Sequence, residues 1–103
     1  MPNNYYYLFS PAAKKDIETI YNYISDVLYN HLAADDLIDE IKTSLDLICI
    51  FPSCGPLISN PLVKSTNLRK YLVKNYIIFY QVIGNEIRVI RVIYGMRNYY
   101  SML

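Results

Sequence analysis

The chain is 103 residues long, 53% hydrophobic and 18% charged. That composition supplies one core in a single domain spanning 1–103, and it excludes a long disordered tail or a collagen-like repeat. Ten Lys and Arg against nine Asp and Glu give a formal charge of +1, which excludes the uniformly basic balance of most nucleic-acid binders.

The total conceals a division. Residues 1–63 carry three basic and eight acidic groups, net −5, whereas residues 64–103 carry seven basic groups against Glu86 alone, net +6. No apolar run approaches the roughly 18 residues of a membrane span, and Met1-Pro2-Asn3-Asn4 has neither the basic nor the apolar region of a signal peptide. A cytoplasmic protein without a membrane partner is therefore expected. Cys49 and Cys54, five apart around Phe51-Pro52, match neither a paired-thiol redox motif nor half of a zinc site and are read as spare thiols.

In chain order, the aromatic run Tyr5 to Phe9 reads as a strand and stops at Ser10-Pro11, a hydroxyl cap followed by proline at the first helical position. Ala13, Ile17, Ile20, Tyr21, Ile24 and Leu28 then follow at helical spacing, and that stripe ends near Tyr29. After Asn30-His31 the pattern resumes with Ala34, Leu37, Ile38, Ile41, Leu45 and Ile48 until Pro52 forbids continuation. The first half is a helical hairpin. Asp35, Asp36, Asp39 and Glu40 near the start of the second helix suit the positive end of its dipole, and we read them as structural and not as a metal site.

Pro52 to Asn67, with Gly55 and three prolines, reads as a long loop of the kind that is often functional. Strands are predicted for Leu68–Val73, Tyr76–Ile83 and Glu86–Tyr94, joined at Lys74-Asn75 and Gly84-Asn85. Gly95 breaks the last strand, and Met96 to Leu103 is a tail that can form a helical turn. The order gives an α+β fold, β-α-α-β-β-β with a short C-terminal helical tail, the hairpin covering one face of an antiparallel sheet.

His31 is the only histidine and the three glycines are isolated, so no zinc ligand set, phosphate-cradling loop or Ser-His-acid arrangement can be assembled, and neither metal nor cofactor is expected. His31 is read as solvated or capping. The Arg, Lys and Tyr after residue 68 are the residue types a histidine-free ribonuclease needs: cations for the scissile phosphate, phenol or amine for proton transfer, and rings to stack on bases. Two-residue turns pair Val82 with Ile87, Tyr80 with Val89 and Ile78 with Arg91, and add Arg69, Tyr71 and Val73 to the same face. Lys70, Leu72, Phe79, Gln81, Arg88, Ile90, Val92 and Tyr94 then share the other. Which face the helices cover stays open, and if it is the Arg69 face those arginines need carboxylate or carbonyl partners.

Tyr7-Leu8-Phe9-Ser10-Pro11-Ala12-Ala13, Asp16-Ile17, Ile20-Tyr21-Asn22-Tyr23-Ile24, Leu68-Arg69, Tyr76 to Val82 and Ile90-Arg91-Val92-Ile93-Tyr94-Gly95-Met96-Arg97-Asn98-Tyr99 together resemble the RelE/ParE superfamily of bacterial toxins. The resemblance implies the toxin half of a type II toxin–antitoxin pair, neutralised by a cognate antitoxin. It also implies one of two activities, mRNA cleavage in the ribosomal A site or inhibition of DNA gyrase without nuclease activity. By position, Arg69 matches an arginine on the second strand and Arg97 one just after the last, while Tyr94 stands where many relatives have histidine. The first expectation is ribosome-dependent mRNA cleavage, with Arg69, Tyr94, Arg97 and Tyr100 as catalytic residues and Lys70, Lys74, Arg88, Arg91 and Tyr99 contacting RNA. The alternatives are a gyrase inhibitor or a non-toxic antitoxin-binding relative.

Overall fold

The Ser10-Pro11 step turns a strand into a helix within two residues. Ser10 keeps extended backbone angles while its hydroxyl accepts the Ala13 N–H at 3.0 Å, and Pro11 occupies the first helical position, where no N–H is needed. In the computed structural model, which describes residues 4–59, 67–95 and 102–103, the elements are β1 (Tyr6–Phe9), α1 (Pro11–Asn22), a π-helical turn (Tyr23–Val27), α2 (His31–Ile50), β2 (Leu68–Val73), β3 (Tyr76–Ile83) and β4 (Glu86–Tyr94). The α+β order matches the expectation from sequence. The expected tail helix falls largely on residues 96–101, outside those described.

The four strands form one sheet in the order β1-β4-β3-β2, with β1 parallel to β4 and the other neighbours antiparallel. The helices cover one face. Ala13 of α1 and Leu37, Ile41, Leu45 and Ile48 of α2 pack with Val73, Ile78, Tyr80, Ile87, Val89 and Val92 in the main core. A smaller cluster, Leu68, Ile77, Phe79 and Ile93, lies on the other face beneath Ile58, Ile90, Met102 and Leu103. The second helix begins earlier than its apolar period indicates, because the Asn30 side chain accepts the Ala33 N–H at 3.0 Å and caps it. Asp35, Asp36, Asp39 and Glu40 consequently start one turn in. Cys49 and Cys54 are both free thiols.

The sequence-derived register fails at one place. Val82 pairs with Ile87 and Tyr80 with Val89 as expected, but Ile78 pairs with Val92, and Phe79 opposes Arg91. A β-bulge between Phe79 and Tyr80 on β3 and residues 89–91 of β4 inserts Ile90 as an extra residue, and one extra residue exchanges the faces of everything beyond it. Arg91 and Ile93 therefore leave the helix-covered face, and Val92 enters the main core.

Residues from α1 and the preceding turn secure the bulge. The Ser10 N–H donates to Val89 O at 2.9 Å and the Ser10 hydroxyl to Ile90 O at 2.7 Å. Asp16 accepts the Val92 N–H at 3.0 Å and holds the Arg91 guanidinium in a two-pronged pair, Nε to Oδ2 at 2.7 Å and Nη2 to Oδ1 at 2.8 Å. The pair is largely shielded, with side-chain exposures of 21% for Arg91 and 15% for Asp16. The Asp16 carboxylate raises the Arg91 pKa against the opposing effect of burial. Removing the carboxylate leaves a shielded cation and a strand N–H without their acceptor. Asp16→Ala is thus expected to lower the unfolding free energy by about 2–4 kcal/mol in urea titrations, with Asp16→Asn intermediate because it still accepts the Val92 N–H.

Candidate functional site

Arg69 lies on the helix-covered face, opposite Tyr80 in the β2–β3 register. Its half-buried guanidinium turns to the loop that follows α2, donating to Gly55 O at 2.7 Å and Ser53 O at 3.4 Å. The fully buried Tyr80 holds the same loop: its hydroxyl donates to Pro52 O at 2.8 Å and accepts the Gly55 N–H at 3.0 Å. Gly55 is fixed by space, since a Cβ there would stand 2.4 Å from the Lys70 carbonyl oxygen and 2.8 Å from the Tyr80 hydroxyl. Beyond it, Lys70 N–H donates to Pro56 O, and Ile58 N–H to Leu68 O, so the loop closes part of the free edge of β2. Sequence reasoning asked for carbonyl partners if the Arg69 face were buried; these are the partners.

The other expected site residues are dispersed. Lys70 is half-buried and aligned with Phe79 and Arg91 on the face of the sheet away from the helices. Arg88 shares that face in register with Leu8 and Gln81, and its Nε donates to Glu86 at 2.6 Å. Lys74, at the β2–β3 turn with φ 52°, approaches Glu40 of α2 at 3.9 Å. Arg91 is held by Asp16 and also donates through Nη1 to Met102 O at 3.3 Å. Arg97, Tyr99 and Tyr100 lie outside the described residues. Among the described residues, then, the arginines and lysines do not converge on one point. His31 sits on the helical hairpin, on the opposite side of the sheet from Lys70 and Arg88, where its Nδ1 bonds to the Ser25 hydroxyl.

Tyr94 lines a different feature. Between the flank of α1 and the end of β4 runs a groove of about 860 Å³, bounded by Lys15, Thr19, Tyr23 and Leu28 on one side and Tyr76, Arg91, Val92 and Tyr94 on the other. It exists because β1 pairs only with residues 86–89 of β4, whereas β4 continues to Tyr94. Tyr76 and Tyr94 are cross-strand partners with edge-to-face rings 5.6 Å apart. Burial first, then neighbouring Tyr94 and Tyr23, push the Tyr76 pKa upward. No sequence signal isolated this groove, because its α1 wall uses residues at helical spacing that read as an ordinary polar flank.

The sequence pattern of the family described as the ParE toxin of the type II toxin–antitoxin system, parDE, matches residues 7–99. The chain belongs to the ParE toxin family. A solved structure of a chromosomal ParDE toxin–antitoxin system from P. aeruginosa superposes with a TM-score of 0.71, covering 89% of this chain and 97% of that one at 16% identity. No curated protein matches in sequence. The superposition supports the same fold for this ParE-family chain, and membership supplies a toxin that works with an antitoxin.

Within this ParE-family chain the loop clamp has a measurable signature. Burial pushes the Tyr80 pKa from 10.0 up to about 12, against the opposing hydrogen bond from Gly55. A folded pKa above the unfolded one favours the folded state while the phenol stays protonated, so this stabilisation is whole below pH 10 and disappears as pH climbs through 12. Tyr21 and Tyr76 are also raised above the ordinary value, and Tyr80 is expected to add a late step near pH 12 to an ultraviolet absorbance titration. Tyr80→Phe is expected to abolish that late step and, by stranding Gly55 N–H and Pro52 O, to cost about 1–3 kcal/mol at neutral pH.

Proposed function

We propose that this toxin arrests growth by holding DNA gyrase through surface contacts, and that it does not cut mRNA. One observation carries the reading: the two arginines best placed for phosphate binding on the strands, Arg69 and Arg91, are committed to loop carbonyls and to Asp16. An endonuclease without histidine at its site needs cations aimed at the phosphate and a group that exchanges a proton near neutral pH. A phenol with a pKa near 12 that already makes two hydrogen bonds, as Tyr80 does, meets neither need. Inhibition by contact asks only for a rigid surface, which the bulge and loop struts provide. The family's preference for gyrase supports the same choice.

The antitoxin that membership implies is proposed to lay an apolar segment along the α1–β4 groove, where β4 outruns β1 and Tyr23, Tyr76 and Tyr94 offer aromatic walls. Tyr94→Asp is expected to weaken a titrated toxin–antitoxin complex by tenfold or more. An unchanged dissociation constant would remove the groove from the interface.

The activity is checked with purified toxin, gyrase and relaxed plasmid. Supercoiling is expected to stop and gyrase-linked broken DNA to accumulate, while primer extension on translated mRNA from arrested cells finds no new 5′ ends inside coding regions. Intact supercoiling together with such ends would reverse the assignment in favour of ribosome-dependent cleavage.

A further inference from the structure

The end of the helical hairpin breaks two rules of an ordinary surface. Val27, Tyr29 and Leu32 are 58%, 88% and 77% exposed, three apolar side chains within six residues where a soluble turn is normally polar. Tyr29 also adopts φ 53°, the left-handed region in which an aromatic residue is strained and glycine or asparagine is not. The ring gains no burial in return.

The tip is nonetheless held firmly. α1 continues into the π-helical turn Tyr23–Val27, whose extra residue per turn redirects the chain, and the Leu28 N–H closes it on Tyr23 O at 3.0 Å. The Asn30 N–H donates to Ile24 O at 3.1 Å, and the Ser25 hydroxyl, in a residue only 3% exposed, bonds to His31 Nδ1. An exposed apolar tip fixed from within is pre-organised for a partner.

Charge identifies the partner's chemistry. From residue 16 to residue 41 the chain contains seven Asp and Glu and no Lys or Arg. Asp26, Asp35 and Asp36, all exposed, flank the apolar tip. We propose that the tip of the hairpin, centred on Val27, Tyr29 and Leu32, is a protein-docking surface for a cationic amphipathic helix of a partner. The helix's apolar face meets these three side chains, and its lysines or arginines meet Asp26, Asp35 and Asp36. A second copy of the chain does not fit, because two-fold pairing of tips sets one acidic rim against another. The surface adjoins the α1–β4 groove at Leu28 but is built from other side chains, none of Val27, Tyr29 and Leu32 lining that groove, and it does not depend on the identity of the toxin's target.

The test uses the ¹⁵N-labelled full chain and two synthetic helical peptides with the same leucine face, one with a lysine polar face and one with a glutamate polar face. The lysine peptide is expected to shift amide signals in residues 26–36, to bind at least tenfold more weakly to Tyr29→Gly and to Leu32→Ser, and to lose affinity as salt is raised. The glutamate peptide is expected not to bind. Both variants are expected to melt at or above the wild-type temperature, since Leu32 is exposed and glycine relieves the strain at position 29. Absence of binding, equal binding of both peptides, unchanged affinity in both variants, or shifts confined to the sheet would overturn the proposal. Because the probe is a peptide, each outcome is independent of whether gyrase is inhibited.

Discussion

The carboxylate of Asp16 stands where a longer β1 would have stood. β1 must end at Phe9 because Ser10-Pro11 begins a helix, yet β4 continues for five residues past Val89 with its outer edge bare. Ser10 serves the first part of that edge through its N–H and hydroxyl, and Asp16 serves the next by accepting the Val92 N–H. The same carboxylate receives the Arg91 guanidinium that the bulge has redirected. One side chain thus joins α1 to the sheet and neutralises a shielded cation. Among the described residues no strand pairs with this edge of β4 beyond Val89, and the groove lies beside Arg91, Val92 and Tyr94.

Much of this architecture is legible from local chemistry. The Ser10-Pro11 start, the apolar stripe from Leu37 to Ile48 and the Gly84-Asn85 turn each follow from a rule that operates within a few residues. Strand parity correctly placed Arg69 with Tyr71 and Tyr80. The bulge was not legible: Ile90 is a β-branched residue in a run of good strand formers, and what makes its insertion tolerable, Ser10 and Asp16, lies some 75 or more positions away. Every face assignment beyond it inverted as a result. The π-helical turn was equally silent, because Tyr23, Ile24 and Val27 fit either helical period closely enough. Whether the Arg69 face was covered depended on the amphipathic hairpin choosing a side, and both faces of the sheet carried enough Ile, Val and Phe to receive it.

The contrast between a −5 front and a +6 back, so clear in the sequence, is weaker in three dimensions. Arg91 meets Asp16, Lys74 approaches Glu40 and Arg88 meets Glu86. Two of those contacts join the halves, so part of the apparent cationic patch is the attachment of the sheet to the hairpin. The exposed pairs add little to stability on their own; Arg91–Asp16 is different in being shielded and doubly hydrogen-bonded. What survives as a field is mainly on the other side, where the stretch from Asp16 to Ile41 has no basic residue to offset its acids.

Ile90, Lys74 and Tyr29 each depart from local preference, and they differ in how the fold compensates them. At Ile90 the extra residue disrupts a ladder, and Ser10 and Asp16 together restore the hydrogen bonds of its neighbours. Lys74, also at positive φ, is the corner of a tight hairpin whose flanking strands pair in full register. Tyr29 is unlike both: its positive φ ends the first arm of the hairpin, where the Asn30 N–H closes on Ile24 O, but its ring is left solvated. A local rule broken and then repaired inside the molecule is architecture. At Tyr29 the backbone is used to end the helix while the exposed ring is not used within the described residues, and in a domain this small, with little stability to spare, the proposed partner surface is what gives that ring a contact.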